Sequence, residues 1–360
     1  MSDRDNKDEI ISMQLDLIRH MTEQNVRRLS EDIWGVSDRK KSAEESELPK
    51  RKPDKNAGQA VTDGAQNEDR TESTAFSPNT GKVNAETSPA ENIDDLTAEL
   101  DGYIGLGKVK DEVRSLINMA KVLKMRREYG LPVTDMSLHM VFSGNPGTGK
   151  TMIARFMARV YHSIGLLSKG HLVETDRSGL VAGYIGQTAV KTQAVLKSAL
   201  GGVLFIDEAY SLTTGAENDF GGEAVDTLLK FMEDNRDDIV VIVAGYTELM
   251  EDFVNFNPGL RSRFNKYIEF SDYTPEEMCE IFLLQCKSGL YEAGDDALSL
   301  VKEYFESRIF DSEEFGNARG VRNTFEKVLA QQANRLADLK DADRDELVKI
   351  KREDVNTALF

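Results

Sequence analysis

From residue 96 onward the chain is written in two alternating periods. Short apolar runs at 139–143, 171–174, 203–207, 239–245 and 267–270 have the length and bounds of buried strands. Segments with helical spacing lie between them, at 150–164, 188–200 and 222–233. Another, at 107–128, precedes the first run and sets Val109, Val113, Leu116, Ile117, Ala120 and Leu123 on one side. Strands that alternate with helices predict a parallel sheet covered on both faces. After residue 272 the pattern predicts helices only. Thr274-Pro275-Glu276-Glu277 opens the first of them as a capping box with proline in the first turn, and others follow at 295–308, 318–338 and 352–359. The expected architecture is an α/β domain over 96–271 and a small all-helical domain over 272–360.

The first 95 residues are a different material. Residues 1–35 contain one amphipathic helix, in which Ile11, Leu15, Ile18, Val26, Leu29 and Ile33 recur near the helical period and Trp34-Gly35 supplies a stop. Its apolar stripe needs a cover: its own globular part, a second copy, or a partner. Residues 36–95 are dominated by Ser, Glu, Asp, Asn, Lys, Gly, Thr and Pro, with Phe76 as the one aromatic. Such a stretch buries too little surface to offset its ordering entropy and predicts a disordered linker.

Overall charge narrows the function classes. The net charge is −18, with 63 acidic against 45 basic residues. That balance counts against nucleic acid and anionic membranes as partners, because both are bound by Lys and Arg. No run of 18 apolar residues occurs, so no membrane insertion is expected. Cys279 and Cys286 lie seven residues apart and pair with no histidine at a metal-ligand spacing. They predict reduced core residues of a cytoplasmic chain.

Two motifs carry chemistry. Gly144-Asn145-Pro146-Gly147-Thr148-Gly149-Lys150-Thr151 lies between a predicted strand and a predicted helix. Its glycines let backbone N–H groups curl around phosphate oxygens, Lys150 would reach the β- and γ-phosphates of ATP, and Thr151 would offer its hydroxyl to Mg²⁺. The second motif, Val203-Leu204-Phe205-Ile206-Asp207-Glu208, delivers two acids at a strand end. Asp207 would hold Mg²⁺ through water, and Glu208 would polarise the attacking water. A third stretch, Gly183-Tyr184-Ile185-Gly186, holds an apolar pair between glycines, either tucked into the core or presented to solvent.

Together these motifs resemble those of AAA+ ATPases. Tyr184-Ile185-Gly186-Gln187, Ala244-Gly245-Tyr246, Asn257-Pro258-Gly259-Leu260-Arg261-Ser262-Arg263-Phe264 and Gly316-Asn317-Ala318-Arg319 resemble the CbxX/CfxQ branch, which includes stage V sporulation protein K and red-type rubisco activases. The resemblance covers about residues 98–360. It implies a P-loop NTPase sheet with a helical lid and a homo-oligomeric ring, a hexamer by family habit. It implies that Arg263, or Arg261, reaches the γ-phosphate of a neighbouring subunit, and that Arg319, with Arg322 as a weaker candidate, reports nucleotide state. Tyr103-Ile104-Gly105-Leu106 resembles the adenine-holding segment. Tyr246 stands where many relatives carry a polar first sensor, a departure that leaves this role open. Tyr184, Ile185 and Gly186 resemble a pore loop that grips a client polypeptide. The implied function is an ATP-hydrolysing remodeller that threads a partner protein. An ATP-switched scaffold that recruits a partner through its N-terminal arm stays open beside it.

Overall fold

The computed structural model describes residues 90–360 except 133–136, 185, 216–218, 310–311, 338 and 340–341. The helix expected within 1–35, the linker up to residue 89, and Ile185 lie outside the described residues.

Five parallel strands form the sheet: β1 Met140–Gly144, β2 Leu172–Thr175, β3 Val203–Ile206, β4 Val240–Gly245 and β5 Lys266–Phe270. Their spatial order is β2-β3-β4-β1-β5. β3 and β4 are buried at every position, which is why both read as unbroken apolar runs. The pleat divides each strand between two cores. Phe142, Phe205 and Ile242 face one, and Val141, Leu204, Ile206, Val241 and Val243 face the other. The first core continues without a break into the C-terminal helices through Met278, Ile281, Phe282, Phe305 and Val321. Sheet and lid therefore share one apolar interior.

Chain order and spatial order part company at β1, which lies between β4 and β5. β1 and β3 consequently flank β4, and their C-terminal ends open a crevice where ligands of such sheets bind.

One expectation needs correction. The linker was expected to run to residue 95, yet a helix spans Ile93–Gly102. Leu96 and Leu100 are fully buried in the first core, and the Asn92 side chain accepts the Asp94 N–H at 3.0 Å, which caps the helix. The lid is helical as expected, with one small addition: β6 Glu292–Ala293 and β7 Lys349–Ile350 pair in parallel. Two residues per strand are too few to show a period. The pair is held from outside, where the Gln332 side chain donates to the carbonyls of Leu347 (3.3 Å) and Lys349 (2.8 Å). The Thr274 capping box forms with both of its hydrogen bonds. Cys286 is buried, Cys279 is half-buried, and both are free thiols.

Candidate nucleotide site

The loop after β1 runs over the C-terminal edge of the sheet. Gly144, Gly147 and Gly149 have φ of 138°, 73° and 95°, values that favour glycine. A Cβ on Gly144 would collide with the carbonyl oxygen of Phe270, so β5 and the loop meet backbone to backbone. Gly149 caps the helix Lys150–Ser163, whose first N–H groups have no partner within the helix. Thr148 is fully buried, and its hydroxyl donates to the Asn145 carbonyl at 2.8 Å.

Lys150 folds over this loop. Its Nζ donates to the carbonyls of Gly144 (2.7 Å) and Asn145 (2.8 Å). Burial pushes its pKa from 10.5 down to about 8, against the pull of Asp207, with the push of Arg319 and against the weaker pull of Asp272. A half-buried ammonium short of counter-charge, beside a glycine cradle, suits a phosphate chain.

Lys150 and Thr151 line a cavity of about 340 Å³. Asp207 and Glu208 enter it from the end of β3, and Gly245 and Tyr246 from the end of β4. The Asp207 N–H extends the ladder by donating to the Thr175 carbonyl at 2.9 Å. Glu208 turns sharply away with φ of 48°, a conformation rare for a non-glycine residue. The Thr151 hydroxyl and the two carboxylates are hard oxygen donors and fit a magnesium nucleotide.

Tyr103 and Ile104 form the far wall, facing Tyr273 and Ile281 from the lid side. Gly105 beside them has φ of 62°, and a Cβ there would run into the Glu277 carboxylate. Tyr103 is fixed from below. Its hydroxyl donates to Glu99 at 2.9 Å, and Arg159 donates to both oxygens of Glu99 (2.6 and 2.7 Å) and both of Glu91 (2.7 Å each). Arg159 lies on the helix that Lys150 opens, so one polar network joins that helix to the Tyr103 wall of the cavity. Arg319 and Arg322 line the cavity from the helix Ala318–Ala337, and Arg322 also pairs with Glu326 at 2.9 Å.

Arg261 and Arg263 are not brought to this cavity. They close the short helix Pro258–Arg263, immediately before β5. Because β5 runs parallel to β1, they lie at the opposite end of the sheet from Lys150, roughly 16 Å away by strand length alone. Arg263 pairs with the exposed Glu233 at 2.8 Å, while Arg261 is exposed.

Tyr184 is 74% exposed. A Cβ on Gly183 or Gly186 would meet nothing within 4 Å. The side chain is presented to solvent, so the tucked-in alternative for this turn does not hold. The loop follows the short helix Arg177–Leu180, which comes after the edge strand β2.

Motif reading missed what the lid side contributes. Asp272 accepts from the Asn145 side-chain amide, Asn317 donates to Asp272 and to the Pro146 carbonyl, and Tyr273 lines the cavity. Asn317 lay inside a quoted motif without a role. Tyr273 precedes the Thr274 capping box, the one local signal that could have pointed to it.

Residues 140–272 match the model of the ATPase family associated with various cellular activities (AAA), and residues 274–359 match that of the AAA lid domain. The chain is 42% identical over 273 residues to a chloroplastic ribulose bisphosphate carboxylase/oxygenase activase of Cyanidioschyzon merolae, covering 75% of this chain and 92% of that one. It is 46% identical over 247 residues to protein CbbX of Cereibacter sphaeroides, covering 68% and 79%. The chain belongs to the CbxX/CfxQ family of AAA+ ATPases. It is also 40% identical over 264 residues to stage V sporulation protein K of Bacillus subtilis, covering 73% and 82%. As a member of this family it is an ATPase with a nucleotide-binding AAA domain. A crystal structure of the FIGL-1 AAA domain superposes with a TM-score of 0.52 at 18% identity, covering 72% of this chain and 82% of that one, and shares the fold. No described helix is long and apolar enough to cross a membrane.

Proposed function

We propose that this ATPase works as a homo-oligomeric ring that remodels a client protein by drawing on it with the Tyr184 loop. The observation that carries the reading is the exposure of Tyr184 on a loop flanked by open glycines. An exposed aromatic ring gives a large contact that does not depend on client sequence. The glycines give the loop freedom to change its conformation. Ile185 and Gly186 complete the gripping element.

Hydrolysis is assigned to the cavity residues. Bound Mg²⁺ would neutralise developing phosphate charge, with Thr151 and Asp207 as the residues that hold it. Glu208 would orient the attacking water. Lys150 would leave its two carbonyls for the phosphates, and Arg319 would report their state to the lid. Arg263 or Arg261 would serve the next subunit, since neither reaches the cavity of its own chain. A site completed by a neighbour favours a closed ring, six subunits by family habit.

The client is a protein of a class that similarity alone does not choose. One relative is named an activase of ribulose bisphosphate carboxylase/oxygenase, and another of comparable identity carries a sporulation name.

A trap experiment tests the reading. Glu208→Gln should hold ATP without turning it over and retain the client from cell extract. The double variant Glu208→Gln with Tyr184→Ala should form the same ring, measured by sedimentation with ATP, and lose that protein. Equal recovery by both variants would reject pulling and favour recruitment by residues 1–95, as the scaffold alternative requires.

A further inference from the structure

The geometry points to Asp272 and Asn317 as positioning residues that set the shape of the phosphate loop from the lid side. Asn317 is fully buried and has φ of 52°, a conformation that asparagine tolerates. Its side chain is used completely. One amide hydrogen goes to the Asp272 carboxylate (2.8 Å), the other goes to the Pro146 carbonyl (3.2 Å), and its oxygen accepts the Tyr273 N–H (3.0 Å). Asp272 also takes the Asn145 side-chain amide on both oxygens, at 3.0 Å each. The Ala318 N–H donates to the Gly147 carbonyl at 3.2 Å. Three consecutive loop residues, Asn145, Pro146 and Gly147, are thus bonded to groups of the domain junction and lid. The approach is at backbone distance, since a Cβ on Gly147 would collide with the carbonyl oxygen of Gly316.

The physical consequence lies in the peptide plane. In a trans peptide the carbonyl of one residue and the N–H of the next point in opposite directions. Holding the Pro146 and Gly147 carbonyls toward the lid therefore aims the Gly147 and Thr148 N–H groups the other way. These are loop donors of the kind a phosphate requires. Asn317 and Ala318 directly precede Arg319 on the chain, and Arg319 lines the cavity. A lid displacement that moves Arg319 pulls on the loop carbonyls as well. Lid position and phosphate affinity are consequently linked, and the linkage is reciprocal.

The latch rests on nucleotide occupying the cavity, so the test separates phosphate binding from base binding. Binding of a fluorescent ADP analogue is displaced by ADP and by adenosine, on the full chain carrying Asn317→Gly, Asn145→Ala, or both. Glycine keeps the left-handed backbone at 317 and removes only the side chain. Each single variant should lose about tenfold in ADP affinity and leave adenosine unchanged. The double variant should lose less than the product of the two, because both act on one cluster. Equal losses for ADP and adenosine would overturn the proposal in favour of a general lid defect. Unchanged ADP affinity in both single variants would overturn it outright. Thermal unfolding reads folding, and if Asn317→Gly fails to fold, Asn145→Ala decides alone. A wild-type chain that bound adenosine but gained nothing from the ADP phosphates would instead sink the phosphate site, and the latch with it.

Discussion

Lys150 should make the nucleotide-free protein less stable at neutral pH than at alkaline pH. In the unfolded chain its ammonium titrates near 10.5, and in the folded chain burial lowers that to about 8. The folded state therefore carries a penalty that is full below about pH 8, fades as the pH rises toward 10.5, and is absent above it. The gap corresponds to about 3 kcal/mol at pH 7, of which about 2 kcal/mol is relieved by pH 9.5. Lys150→Met removes the titration. It also removes two hydrogen bonds to loop carbonyls, at 2.7 and 2.8 Å, so its stability at any single pH mixes two effects. The pH dependence of the difference does not. Urea unfolding of both proteins, stripped of nucleotide, at pH 7 and pH 9.5 reads it directly. Wild type should gain about 2 kcal/mol on the variant across that interval. A difference that stays constant, or moves the other way, refutes the claim that Lys150 is held short of counter-charge. Saturating MgATP should abolish the effect, because the phosphates then supply the missing charge.

Three further outcomes follow from the same geometry. Glu208→Gln should lower single-turnover hydrolysis by about 10²–10⁴-fold while ATP affinity, measured at equilibrium, stays within a few-fold. Arg159→Met should cost about 3–5 kcal/mol in chemical denaturation, because it leaves the buried Glu99 carboxylate with only the Tyr103 hydroxyl; restoring much of that loss by adding Glu99→Leu would attribute it to the stranded charge. His139 is held at about 4 by burial, with Arg263 adding to the shift, and its Nδ1 accepts the Val241 N–H at 3.0 Å. Its folded value lies below the unfolded 6.5, so its share of stability is intact above pH 6.5 and is lost as pH falls toward 4. His139→Asn should flatten that part of the acid-unfolding profile, and an unaltered profile would assign the acid sensitivity to other groups.

The glycine loop, the acidic strand end and the strands themselves were legible because their causes are local. Glycine at φ of 73° and 95°, an apolar run buried on both faces, and a threonine that caps its own helix each write their reason within a few residues. The partners that close the site were not. Asp272 lies 127 residues from Asn145, and Asn317 lies 171 residues from Pro146. Nothing near Arg159 announces that it will hold Glu91 and Glu99 across at least 60 residues. Such contacts depend on how the lid folds back on the sheet, and periodicity carries no record of that. The helix Ile93–Gly102 was hidden for a related reason. Its two buried leucines stand among acidic residues that resemble the linker composition until the docking surface is known.

The placement of Arg263 at the far end of β5 has a genetic corollary. If each centre is completed by the next chain, neither half is active alone, and two defective alleles can rescue one another. In rings mixed equally from Lys150 and Arg263 variants, about a quarter of the subunit junctions would pair an intact lysine with an intact arginine. Activity would appear on mixing two inactive preparations, and it would do so only while the subunits exchange.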